Sequence, residues 1–103
     1  MLTEKDYCDY DTCVALEELG YPEVMAFNKP FLLYEAQKWL REEKKIDANA
    51  FYDNMDTAWR FYILEMDSPD LSGTYAYKDV FMSYEEALLE GIKEAINILK
   101  EGK

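Results

Sequence analysis

The side chains of this sequence that could act chemically are carboxylates and two thiols, and no histidine occurs anywhere in the 103 residues. Glu65, Asp67 and Asp70 follow an apolar alternating segment and make the best acidic grouping near one strand end. Carboxylates so placed can hold a divalent cation or divide acid and base roles between them. With 22 acidic residues in the chain, however, such groupings also arise by chance, and a solvated loop is the plainer reading. Cys8 and Cys13 have no imidazole to serve as base for a thiolate, and two thiols without histidine cannot complete a usual zinc set. They read as small core or surface residues, and a disulfide is not expected in a cytoplasmic chain. Asp9, Asp11 and Cys13 imitate the opening of a calcium loop. Val14 then stands where the loop needs glycine, and Gly20 where it needs glutamate. The four glycines are scattered, so no phosphate-cradling loop exists. No catalytic, cofactor-binding or metal-ligating residue is assigned. The chain is expected not to be an enzyme, with a metal-dependent enzyme built on Glu65, Asp67 and Asp70 as the remote alternative.

Composition sets wider bounds. Half of the residues are apolar and 16% are aromatic, too rich for a disordered chain. The length suits one domain with a single core. No apolar run approaches the ~20 residues of a membrane span. The opening Met-Leu-Thr-Glu-Lys-Asp lacks the basic-then-apolar pattern of a signal peptide, so a cytoplasmic location is expected. Eleven basic residues against 22 acidic ones give a net charge of −11. That surface repels nucleic-acid phosphates and anionic membranes, and neither is expected as a partner. It is compatible with a basic protein partner, although solubility alone would also explain it.

The elements that must position any surface follow from periodicity. Asp9 to Tyr21 reads as a short first helix, capped by Asp9 or Asp11, with Val14, Ala15, Leu16 and Leu19 inward and Gly20 as its left-handed stop. Glu23 to Phe27 is a candidate strand. Pro30 to Lys45 predicts a second helix with Leu32, Leu33, Ala36, Trp39 and Leu40 on one side. Ile46 to Tyr52 alternates, and Asp53 to Thr57 is a connection of hairpin length. Trp59, Phe61 and Ile63 then alternate with Arg60, Tyr62 and Leu64, a strand with two apolar faces that belongs in the middle of a sheet. Met66 to Gly73 is a loop by composition, and Thr74 to Phe81 a further strand. Ser83 and Glu86 form a capping box that opens the last helix. Its Ala87, Leu88, Ile92, Ala95 and Ile96 lie in a wide apolar arc suited to a sheet. The expected fold is one α+β domain over residues 1–103. It has an antiparallel sheet of about three to four strands with helices packed on one face, in the order α-β-α-β-β-β-α.

If Trp59, Phe61 and Ile63 face the helices, then Arg60, Tyr62 and Leu64 face outward beside Phe51. An aromatic, apolar sheet face of this kind marks a partner or self-association surface. Arg60, Tyr62, Leu64 and Phe51 are therefore the candidate partner-binding residues. The opposite register, or a first helix laid over this face, would remove the patch, and the residue pattern leaves both open. Stacking of single-stranded bases on the face lacks supporting positive charge.

Two segments, Glu35 to Ile46 with its Trp-Leu-Arg-Glu and Phe81 to Ile96 with its Ser-Tyr-Glu-Glu-Ala, resemble small uncharacterised proteins of gut Bacteroides species and their phage or mobile elements. The Leu-Gly-Tyr end of the first helix fits as well. That resemblance implies a bacterial or phage origin and one domain, and it carries no activity and no site residues. Over the C-terminal part, Tyr62 to Gly73 followed by Ser83 to Ala87 is similar to the strand, Pro-Asp-Leu-x-Gly turn and helix of HicB-type antitoxins, which block a small basic RNase. Ser72 stands where that pattern usually has proline, the spacing to the helix differs, and the first 60 residues or so have no counterpart. The expected function is a non-catalytic protein-interaction or regulatory domain acting through an acidic and aromatic surface, with a homodimer as one form of that contact. The alternative is an inhibitor of a basic protein, whether a HicB-like antitoxin or a phage mimic of nucleic acid.

Overall fold

The structure is a computed structural model that describes residues 2–23, 30–66 and 79–101, together with the backbone of residues 74–76. The chain opens with a 3-10 turn, Glu4–Asp6, capped by Thr3. Helix α1 (Tyr10–Glu18) starts at Asp9, whose carboxylate accepts the Thr12 N–H at 2.9 Å. Cys8 and Cys13 flank this cap at the two positions that form a hydrophobic staple, and both are buried. Gly20, at φ 102°, ends the helix. Its N–H donates to the Glu17 carbonyl and that of Tyr21 to the Leu16 carbonyl, both at 3.0 Å. This is a Schellman stop, and its trailing apolar residue, Tyr21, is buried against Phe31 and Trp39.

Helix α2 (Leu33–Glu43) begins three residues later than the sequence pattern suggested. Phe31 and Leu32 are taken up in pairing with the N-terminal segment: Tyr7 bridges Leu32, and the Cys8 N–H donates to the Phe31 carbonyl at 2.8 Å. At the other end Lys45 adopts φ 57° and redirects the chain into β1 (Ile46–Asp53). Strand β1 pairs antiparallel with β2 (Ala58–Glu65), in a register running from Ile46 opposite Glu65 to Asp53 opposite Ala58. The short β3 (Thr74–Ala76) lies antiparallel along the other side of β2, with Ala76 opposite Tyr62. Phe81 then exchanges both main-chain hydrogen bonds with Trp59 before α3 (Tyr84–Glu101) begins. The protein is α+β. Among the described residues the order is α-α-β-β-β-α, with β2 between β1 and β3. The candidate strand Glu23 to Phe27 lies, apart from Glu23, outside the described residues.

The core sits between the helices and one face of the hairpin. Ile46, Ala48, Phe61 and Ile63 on the sheet meet Leu33, Ala36 and Leu40 of α2 and Leu88, Ile92, Ala95 and Ile96 of α3, all buried. Helix α3 approaches β2 closely at Gly91, where an added Cβ would lie 3.3 Å from three side-chain atoms of Phe61. The first helix packs on the same side, with Cys13 and Leu16 in this core. It therefore does not cover the opposite face. Ser83 accepts the Glu86 N–H at 3.2 Å, while the Glu86 carboxylate reaches past the cap to the Met82 N–H at 3.1 Å. The expected box is displaced by one residue on its return arm. None of the described helices is long and apolar enough to cross a membrane.

Candidate interaction surface

The pairing of β1 with β2 decides which side chains share a face. Asp47 stands opposite Leu64, Asn49 opposite Tyr62, Phe51 opposite Arg60 and Asp53 opposite Ala58. Because side chains alternate along a strand, these residues occupy the face turned away from the core. Arg60, Tyr62, Leu64 and Phe51 thus lie together on one surface. Phe51 and Leu64 are 40% and 36% exposed. The rings of Phe51 and Tyr62 pack diagonally across the strands, with centroids 6.1 Å apart.

Arg60 has a further role that its strand position alone does not show. Its Nε donates to Asp53 at 2.7 Å and its Nη2 to Asp56, so one guanidinium bridges both shoulders of the hairpin turn. Asp53 also accepts the Met55 N–H at 2.9 Å, an Asx turn that shapes the connection. The Arg60 guanidinium, followed by the Met55 N–H, holds the Asp53 carboxyl below its ordinary value. The same two carboxylates, Asp53 foremost, raise the Arg60 pKa. Arg60 is most directly a clamp on the turn, with its side chain 17% exposed.

Several further apolar residues, outside the four singled out from sequence, are exposed. Met55 is 91% exposed at the hairpin tip, and Met82 and Val80, on either side of Phe81, are 88% and 52% exposed. Met55 sits in a run of turn-forming residues and Met82 just ahead of a helix cap, so neither carries a periodic signal. Beneath them an aromatic series closes the core side of the hairpin: Tyr52 on Trp59 at 5.3 Å and Trp59 on Tyr84 at 5.5 Å.

Among the described residues, two open grooves border the helices. One, of about 290 Å³, runs between α1 and α3 past Asp11, Thr12, Lys93, Asn97 and Lys100. Its cations are already engaged: Lys93 with Asp9 at 2.9 Å and Glu90 at 3.4 Å, and Lys100 with Glu18 at 3.6 Å. The other, of about 320 Å³, is bordered by Glu4, Lys5, Asp9, Glu85 and Glu86. Among the described residues no set of three or more acidic, cysteine or histidine side chains is placed to hold a metal ion. Asp67 and Asp70 of the acidic grouping lie outside the described residues. Cys8 and Cys13 are free thiols in the core, and burial pushes the Cys8 thiol up to about 12, leaving it protonated at neutral pH.

No family model matches the chain, no curated protein matches it, and no solved structure matches it.

Proposed function

We propose that the chain is a non-catalytic protein-interaction or regulatory domain whose contact surface is the outward face of the β1–β2 hairpin. The observation that carries this is the row of Phe51, Tyr62 and Leu64, held side by side on the sheet face turned away from all three described helices. Apolar and aromatic side chains gathered on one face, ringed by polar residues, are characteristic of a surface that another molecule covers. The tied-down turn supports the same view, because a contact surface held rigid before binding loses less conformational entropy on association. The resemblances in the helices and in the Ser83–Ala87 segment support a bacterial or phage setting, with the cytoplasm as its compartment.

Tyr62→Glu tests the proposal. The substitution sets a charge in the middle of the row, on a face that contributes nothing to the core. The variant should fold as the parent does by circular dichroism and lose self-association or partner capture from a native-host lysate. A parent protein that stays monomeric in sedimentation and captures no partner would overturn it.

A further inference from the structure

We infer that the occupant of this face is a cationic amphipathic α-helix from another protein, laid across the hairpin as a third layer. The inference rests on the interaction surface proposed above and adds the chemistry of what binds there. Three observations select a helix, its charge and its size.

The first concerns the sheet edge. Met66 N–H donates to the Lys45 carbonyl at 2.8 Å, which makes that pair a hydrogen-bonded one. By the alternation of an antiparallel ladder, Ile46, Ala48, Ala50 and Tyr52 then direct their main-chain groups away from β2. Gln37 of α2 donates to the Ala48 carbonyl at 2.7 Å, and the Asn49 side chain accepts the Ala50 N–H at 2.9 Å. The edge is therefore partly closed by the protein's own side chains, which disfavours a partner that adds as a strand. A layer packed on the face remains. A single segment that packs there without borrowing hydrogen bonds from the sheet edge must satisfy its own main chain, which a helix does.

The second is charge. Asp53 and Asp56 stand at the hairpin end of the face, two carboxylates against the one Arg60 guanidinium that is committed to both. The chain as a whole carries −11. A second copy would set an acidic face against itself, and nucleic acid would be repelled outright. A helix with Leu-like residues on one stripe and Lys or Arg beside it meets both the apolar row and its acidic border.

The third is size. Each strand of the hairpin has eight residues, a length of ~26 Å. A helix of about 18 residues spans the same distance at ~1.5 Å per residue.

The probe is an 18-residue amphipathic peptide of leucine and lysine, compared with a peptide of identical composition scrambled to destroy its apolar stripe. Binding is followed by titration calorimetry against the wild type and against a Tyr62→Ser/Leu64→Ser double variant. On the wild type, methyl and ring resonances are recorded for Leu64 and Tyr62, with Leu88 as the core control. The expected result is binding of the amphipathic peptide at least tenfold tighter than the scramble and weakening with salt. Shifts should be confined to Leu64 and Tyr62, and the double variant should lose at least tenfold in affinity. Equal binding of the two peptides would overturn the inference, as would an unaffected double variant whose shifts lie elsewhere. Self-association that the double variant abolishes, without peptide binding, would overturn the helix while leaving the contact surface standing. A monomer that binds neither peptide nor any host protein would remove both.

Discussion

Asp6 joins parts of the chain that no local pattern connects. The Tyr34 hydroxyl donates to its carboxylate at 2.5 Å from 28 residues away, and the Thr3 N–H adds a second bond at 2.8 Å. The Tyr34 bond foremost, then that of Thr3, holds the Asp6 carboxyl below its ordinary 3.8. A carboxyl with a lowered folded-state pKa stabilises the fold fully above its unfolded value and loses that contribution as pH falls through the folded one. Asp6→Asn should therefore be less stable than the wild type at neutral pH. The gap should narrow as pH falls through the lowered folded-state value of Asp6, below which both carry a neutral side chain. Urea midpoints measured across that range would show it. A gap that persists in acid would assign the effect to packing. Tyr34 behaves reciprocally: its bond to Asp6 raises its pKa above the ordinary 10.0. Its contribution is thus present through neutral pH and lost only in strong alkali. Arg60 poses a similar residue-level question at the hairpin. Arg60→Met should leave the fold intact but speed amide exchange at Met55, whose N–H is held by a carboxylate that Arg60 fixes.

At the level of elements, two positions set backbone preference against packing. Thr57 closes the hairpin at φ 48°, where a β-branched residue is strained. Thr57→Gly removes strain of ~1–2 kcal/mol and returns part of it as lost chain entropy, so thermal unfolding should report a gain of up to about 1 kcal/mol. Gly91 presents the opposite case. Alanine there would add about 1 kcal/mol of helix propensity. Its Cβ would crowd Phe61, including that residue's own Cβ, which rotation cannot move aside. Overpacking of a closed core costs about 1–3 kcal/mol, so Gly91→Ala should be net destabilising by about 1 kcal/mol. These two cases also show what the sequence made legible. The last helix and the hairpin follow from periodicity, because burial imposes a period on side chains. Strand β2, in contrast, is apolar on both faces, and only the packed helices decide that Phe61 and Ile63 turn inward and Tyr62 and Leu64 outward. Gly91 already stood inside the apolar arc of its helix, but its partner Phe61 is visible only once sheet and helix are packed. The left-handed Lys45 and Thr57 carry no glycine or asparagine to announce them. Gln37 reads as a polar residue of a helix, although it is buried against the Ala48 carbonyl. The Arg60 clamp was likewise hidden, since its two carboxylates lie across a turn whose shape they help to create.

For the whole molecule, the open question of association comes down to which surface is available, and salt separates the answers. The face offers an apolar row with acidic borders, whereas the β1 edge offers main-chain groups guarded by α2 as far as Ala48 and by Asn49 beyond it. An unguarded edge strand is a template for pairing with another copy. Asn49→Thr removes the acceptor from the Ala50 N–H and raises strand propensity at the same position. The variant should fold and then associate edge to edge, as sedimentation velocity would detect. Its association must overcome repulsion between chains of charge −11, so added salt should strengthen it. Binding of a cationic helix to the face draws on that same charge in the opposite sense, and added salt should weaken it. An Asn49→Thr protein that stays monomeric at high salt would show that Asn49 is not what keeps the edge closed.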